Sequence, residues 1–290
     1  MIYGALEAGG TKMVCAIGDE NGKILDQISV PTVTPEKTMP AIIDYFKDKE
    51  IRALGVACFG PVDVDPSSPT YGYILNTPKP SWGNFDIVGT LKKALSIPIG
   101  FDTDVNGSLL GEVTWGNARS LTDAVYITIG TGIGGGILSG GNIVHGMLHP
   151  EMGHMKLIPA PGDRFAGRCP FHHNCFEGLA SGPAIGDRWG APAGGLADRD
   201  EVWELESEYI AQAVSNLVLI MSPQKVILGG GVMHQMQLFP LIRKKVLEKI
   251  NGYLDTKELG DMDSYICPAG LGDDQGIMGA VKLAMNACAK

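Results

Sequence analysis

Residues 2–18 read IYGALEAGGTKMVCAIG, and residues 124–139 read AVYITIGTGIGGGILS. The first stretch predicts a buried strand over 2–8, a tip of Gly9, Gly10, Thr11 and Lys12, and a returning strand over 13–18. Glycines at such a tip free backbone N–H groups to point at anionic oxygens, and the Thr11 hydroxyl and Lys12 ammonium add direct contacts. A plain tight hairpin needs the same glycines, so one such turn is weak evidence of a phosphate. The second stretch repeats the logic, with a strand over 124–129, a glycine turn from Gly130, Thr131 and Gly132 through Gly136, and a return over 137–139. Two phosphate-type hairpins half a chain apart point to duplicated α/β halves facing one another across a cleft, and each strengthens the other. The likeness of 130–136 to a dinucleotide fingerprint is poor, because a strand rather than a helix follows.

The expected division is a domain over 1–116 and another over 117–290, with the last helix, 275–287, packing against the body or back on the first domain. A chain of 290 residues has ample core for this. The net charge of −9, without a Lys/Arg cluster, argues against nucleic acid as partner. Six scattered cysteines fit a reducing cytosol. The chain opens directly into a strand without a basic leader, and no apolar run reaches the ~18 residues of a membrane span. The expected location is therefore the cytoplasm, with no membrane partner, and a symmetric homodimer is the default assembly.

Between the hairpins, Thr34 and Pro35 open a helix whose Met39, Ile42, Ile43 and Phe46 form a core stripe. A buried strand over 53–58 ends at Phe59, Gly60 and Pro61, a loop of the kind that faces ligands in α/β sheets. Residues 62–85 are rich in Pro, Ser and Gly but carry Tyr71, Tyr73 and Trp82. An ordered excursion is expected, its aromatics either packing over a sugar face or pinning the loop. A strand over 98–101 runs into Asp102, Thr103, Asp104, Val105 and Asn106 at a helix start. Asp102 or Asp104 is either an N-cap or the acceptor of a proton from a substrate hydroxyl. A helix N-terminus stabilises carboxylate charge and so weakens the base. In the second half, Ser181, Gly182 and Pro183 start a helix, and residues 201–221 form another, with Ile210, Ala213, Leu217 and Ile220 on one face. A short strand over 225–228 then ends in Gly229, Gly230 and Gly231, ahead of a helix carrying Phe239, Ile242, Val246 and Ile250. Such a turn admits a nucleotide base closely, or is simply tight.

Residues 149–177, HPEMGHMKLIPAPGDRFAGRCPFHHNCFE, join a metal pattern to a polyol pattern. Cys169, His172 and Cys175 surround a tight turn, and His154 upstream completes a tetrahedron around Zn²⁺. His173 in place of His172 stays open, since Cys-x-x-x-His also closes around zinc. Four protein ligands leave no open position, so the metal is read as structural. It would steady Glu151 and Glu177 to accept hydrogen bonds from sugar hydroxyls.

Taken in order, EAGGTK at 7–12, DTDVN at 102–106, the Gly130 loop, EMGH at 151–154 and the Cys/His cluster resemble the ROK sugar kinases over nearly the whole chain. The resemblance implies an actin-like ATPase (ribonuclease H-like) duplicated two-domain fold with an interdomain cleft. It also implies ATP with Mg²⁺ and transfer of the γ-phosphoryl to a hexose, most simply at O6. Asp104 matches the catalytic aspartate; Glu151, His154 and Glu177 match sugar-contacting residues. Thr11, Thr131, Pro183 and the Gly229 to Gly231 turn match nucleotide contacts. The departures are Glu7 where many relatives carry Asp, Thr103 where they carry Asn, and CPFH at 169–172 where they carry Cys-x-Cys-Gly. With SPTYGY at 68–73 and TPKP at 77–80 they resemble the fructokinase branch, and Thr103 offers the sugar a shorter arm. Glucokinase, mannokinase and N-acetylhexosamine kinase are the alternatives on the same scaffold. A sugar-sensing repressor would carry an extra helix-turn-helix ahead of the first strand, and a non-catalytic sugar-binding module would not need Asp104.

Overall fold

The computed structural model describes residues 1–289 and divides them into two compact units. Of the described residues, the first comprises 1–120, 143–150 and 273–289, and the second 121–142 and 151–272.

In the first unit, β1 (Ile2–Ala8), β2 (Lys12–Asp19) and β3 (Ile24–Pro31) form an antiparallel meander. Helix α1 (Pro35–Lys47) then leads to β4 (Leu54–Cys58), which pairs parallel with β1. Residues 62–85 fold as a small ordered excursion closed by β5 (Tyr73–Ile74) and β6 (Phe85–Asp86). Trp82 is fully buried, and its Nε1 donates to Val33 O at 3.1 Å. Tyr71 packs edge-on against Phe101. The aromatics therefore pin the loop. Helix α2 (Ile87–Leu95), β7 (Ile99–Thr103) and α3 (Asp104–Thr114) follow, giving the sheet order β3-β2-β1-β4-β7.

Period-two alternation divides β1 between two cores. Leu6 and Ala8 join Met13, Val56, Ile42, Phe46, Trp82 and Leu91 on one face. Tyr3 and Ala5 join Ala16, Ala53 and Ala57 on the other, against Ile277, Ala280, Val281 and Ala284 of the last helix, Gln275–Cys288. That second face is built of small residues, so the helix backbone lies almost on the sheet. A Cβ at Gly55 would sit 1.8 Å from Ala280 O, and one at Gly279 would sit 1.7 Å from Gly107 O of α3. Gly279→Ala, ordinarily stabilising in a helix by about 0.5–1 kcal/mol, should here destabilise by about 1–3 kcal/mol through overpacking. A fall in Tm would register it.

In the second unit, β8 (Ala124–Ile129) and β9 (Ile133–Ser139) form an antiparallel hairpin, edged by β10 (Asn142–Ile143). The return strand starts four residues earlier than the glycine run indicated. Gly134, Gly135 and Gly136 pair with Thr128, Ile127 and Tyr126, so the turn is confined to Gly130, Thr131 and Gly132. Gly135 serves packing, since a Cβ there would meet Met152 Sδ at 2.4 Å. The short α4 (Phe176–Ala180), α5 (Gly182–Trp189) and α6 (Asp200–Met221) precede β11 (Lys225–Gly229). Ile220, expected on the buried face of α6, is 74% exposed, while Ile210, Ala213 and Leu217 are buried. A 3₁₀ turn at Gly231–His234 stands between β11 and α7 (Leu238–Ile250), where a direct strand-to-helix turn was expected. Helix α8 (Met262–Tyr265) and β12 (Ile266–Pro268) complete a sheet ordered β10-β9-β8-β11-β12. Strands β11 and β12 run parallel to β8. Both sheets thus consist of a hairpin with an edge strand and two parallel strands, the duplication that the paired hairpins predicted. The last helix, α9, belongs to the first unit, as does the excursion 143–150. Among the described residues no helix is long and apolar enough to cross a membrane.

Candidate functional site

In the first unit the turn between β1 and β2 presents Gly9, Gly10 and Thr11. A Cβ at Gly9 would lie 2.6 Å from Lys12 O, so only glycine fits. Thr32 fastens the turn, its hydroxyl donating to Gly9 O at 2.7 Å and its N–H to Thr11 O at 3.0 Å. The Thr11 and Lys12 side chains remain exposed.

Asp104 is the first residue of α3, and the N-cap is Thr103, not either aspartate. Thr103 Oγ1 accepts from Asn106 N at 3.0 Å. Thr103, expected to reach a sugar, is 2% exposed, and by accepting the cap bond its hydroxyl oxygen fixes where Asp104 starts the helix. Burial pushes the Asp104 carboxyl up to about 6, against the opposing pull of the Val105 N–H. Desolvation thus outweighs the helix N-terminus, opposite to the sequence expectation. Glu7, near the end of β1, is pushed up to about 7 by burial, then by repulsion from Asp104, with Lys12 acting the other way. A Cβ at Gly276 would meet Glu7 Oε1 at 2.3 Å. A carboxylate inside an apolar strand was the available signal for Glu7.

Two histidines escaped the sequence reading. His145 Nε2 lies 3.0 Å from Asp102 Oδ2, and His149 Nε2 accepts from Val62 N at 3.1 Å. His149 also packs on Gly60, where a Cβ would stand 3.2 Å from the ring. Gly60 precedes the cis-proline Pro61. No spacing in the sequence links residues 145 and 149 to 60–62 and 102.

In the second unit three separate glycine segments converge. Gly182 N donates to Gly130 O at 2.8 Å. A Cβ at Gly130 would lie 3.8 Å from Gly231 N, and one at Gly230 2.5 Å from Ile129 O. Gly230 has φ +88°, a conformation that favours glycine. Ser181 Oγ caps α5 through Ala184 N, and Pro183 sits in the first turn. A cavity of about 560 Å³ opens along α5, lined by Arg168, Gly182, Pro183, Gly186 and Asp187 among others. Gly229, Gly230, Gly231, Gly130 and Pro183 are therefore neighbours in space, while Thr131 is exposed on the turn.

Glu177 joins this group to the Cys/His cluster, its Oε2 accepting from Ile133 N at 3.0 Å. One carboxylate oxygen is thus engaged by the second hairpin. Glu151 precedes the 3₁₀ turn Met152–His154, and its carbonyl accepts from His154 N. The donor atoms of His154, Cys169, His172 and Cys175 all lie within 4.8 Å of one another. His154 Nδ1 is 3.7 Å from Cys169 Sγ and 3.5 Å from Cys175 Sγ, and His172 Nδ1 is 3.7 Å from Cys169 Sγ. Tetrahedral zinc with Zn–S near 2.3 Å and Zn–N near 2.0 Å sets nitrogen and sulfur about 3.5 Å apart, so the donor set fits. His173 is outside the cluster. It takes a left-handed backbone at φ 54°, and its carbonyl is packed where Cβ atoms at Gly167 and Gly178 would stand.

The loop preceding Cys169 is anchored independently. Asp163 accepts from Tyr209 OH at 2.5 Å and pairs with the buried Arg188 at 3.3 Å, whose guanidinium stacks on Phe165. Gln212 of α6 brackets Ile158 with two 3.0 Å bonds.

A model of the ROK family matches residues 3–287. The chain belongs to the ROK family. It is 49% identical to a fructokinase of Pediococcus pentosaceus over 287 residues, covering 99% of each chain. It is 50% identical to a putative fructokinase of Bacillus subtilis strain 168, covering 99% of this chain and 96% of that one. The ROK hexokinase of Thermus thermophilus superposes with a TM-score of 0.80 at 25% identity, covering 99% and 98%. The ROK glucokinase of Streptomyces griseus, solved with glucose and AMPPNP, gives 0.77 at 22% identity, covering 99% and 100%. For this ROK chain the two-sheet duplication is the actin-like ATPase fold.

Proposed function

We propose that the chain is an ATP-dependent hexose kinase that transfers the γ-phosphoryl group to O6 of D-fructose. The observation that carries the chemistry is Asp104, a carboxyl at a strand-to-helix corner that burial holds near pH 6. A base poised there accepts the hydroxyl proton late in a loose phosphoryl transfer, where orientation matters more than early deprotonation. Fructose as acceptor is supported by relatives named fructokinase at 41–50% identity.

In this reading Asp104 orients and then deprotonates the attacking hydroxyl. Gly9, Gly10 and Thr11 offer backbone and hydroxyl donors to phosphate oxygens, and Lys12 offsets their charge. Gly130, Thr131, Gly132, Pro183 and the Gly229 to Gly231 turn receive the rest of the nucleotide. Mg²⁺ bound with ATP would neutralise charge on the phosphates. Glu151 and Glu177 accept sugar hydroxyls, and Gly60 lets the sugar approach backbone. His154, Cys169, His172 and Cys175 would hold a structural Zn²⁺. A closed four-ligand site of this kind orders its loop and presents no open position. A cytoplasmic homodimer fits the scattered free cysteines and the usual symmetry of such enzymes.

The test is ATP-dependent phosphorylation of fructose, mannose, glucose, N-acetylglucosamine and N-acetylmannosamine under one set of conditions. Fructose should give the highest kcat/KM. A higher value for another sugar would sink the fructose assignment and leave the kinase, and no turnover of any sugar would sink the kinase.

A further inference from the structure

Asp102 lies in β7, two residues before Asp104, and is 6% exposed. Three donors surround its carboxylate: Thr103 N at 2.8 Å, Asn106 Nδ2 at 2.7 Å and His145 Nε2 at 3.0 Å. An ionised carboxylate only accepts, so the His145 proton is on Nε2 and the tautomer is fixed. The His145 side chain is 37% exposed, and its Nδ1 has no partner among the described residues. Asn106 commits its amide to Asp102, which leaves Oδ1 buried without a donor. Asp102 brings a carboxylate to this corner, and Asp104 stands two residues along. This corner therefore does not attract an anion such as a nucleotide phosphate. Hydroxyl groups, which both donate and accept, answer an open Nδ1.

We infer that His145, oriented by Asp102, is a specificity-determining residue of the hexose site and hydrogen-bonds through Nδ1 to a hydroxyl of the acceptor sugar other than the one phosphorylated. The inference rests on the hexose-kinase reading. Asp102 also raises the pKa of His145, which keeps Nδ1 a donor to higher pH. The other titratable groups near the pair are His149, whose pKa burial lowers, Tyr71, whose pKa is raised by burial and then by Asp102, and Asp104. The sugar contact is charge-assisted while His145 is protonated; as pH rises through its elevated pKa, Nδ1 turns from donor to acceptor and the contact weakens.

The experiment compares wild type with His145→Leu, His145→Gln and Asp102→Asn. It reads kcat, both KM values across pH, Tm, and fructose binding by calorimetry. For His145→Leu the fructose KM should rise about 10–100-fold, the scale of a lost hydrogen bond to a charged group. Its ATP KM should hold, kcat should fall much less than KM rises, and the alkaline rise of fructose KM should disappear. His145→Gln should restore part of the affinity, and Asp102→Asn should move that rise to lower pH. An unchanged fructose KM and binding constant in His145→Leu, or equal losses for fructose and ATP, overturns the inference. If wild type binds fructose but phosphorylates no hexose, the kinase reading fails while calorimetry on His145→Leu still decides this one. Wild type that binds no fructose overturns both.

Discussion

Asp104→Asn should lower kcat by about 10²–10⁴-fold, the usual contribution of a positioned general base, and should at the same time raise Tm at neutral pH. The two effects share one cause. The folded carboxyl titrates at about 6 against an ordinary value of 3.8, because burial disfavours its charge. Between these values the folded state holds a proton that the unfolded state has released. The stability contributed by the protonated acid is therefore complete below about pH 4, is lost as pH climbs to about 6, and is absent at pH 7. Removing the charge should return on the order of 1–3 kcal/mol. Glu7 follows the same sign at higher pH, since its carboxyl titrates at about 7. As Asp104 is one cause of that elevation, Glu7 should titrate lower in the variant, which carboxyl-resolved NMR would detect. For wild type, activity should fall on acidification through about pH 6 as the base is protonated. A variant that keeps most of its kcat, or a Tm that drops at pH 7, would contradict the account.

Cys175→Ser should cost the protein its zinc and most of its hexose affinity while leaving the first unit folded. Cys175 is the N-cap of α4, with Gly178 N 3.4 Å from its sulfur, and α4 carries Glu177, which holds Ile133 N. On the proposed reading, losing the metal would disturb the Glu177 carboxylate and the second hairpin in one step. Wild type should contain one zinc per chain by elemental analysis, and the variant none. The fructose KM should rise by at least about 10-fold, the scale seen when the support of a metal ligand is lost. His172→Ala should behave likewise and His173→Ala should retain zinc. Cys15→Ala and Cys267→Ala serve as controls, since those thiols lie outside the cluster. Complete collapse of the loop is not expected, because Asp163, Tyr209, Arg188 and Gln212 hold residues 158–163 without the metal. Full zinc occupancy in Cys175→Ser would overturn the ligand set.

What could be read directly from the chain was whatever depends on local order. Strand, glycine tip and return strand at 2–18 and again at 124–139 imposed the duplicated sheets, because a buried run broken by glycines has few other solutions. The four clustered donors were legible because three of them lie within seven residues. The closed turn around Cys169, His172 and Cys175 depends little on the rest of the fold. Only the tertiary structure decided the quantities set by neighbours far along the chain. It placed His172 in the donor cluster and His173, with its left-handed backbone, outside it. It gave the cap of α3 to Thr103, and it converted Asp104 from a carboxylate weakened by a helix end into one raised by burial. It also brought His145 to Asp102 and His149 to Val62 across separations of 43 and 87 residues. Desolvation and long-range pairing are properties of packing, and no single stretch of sequence carries them.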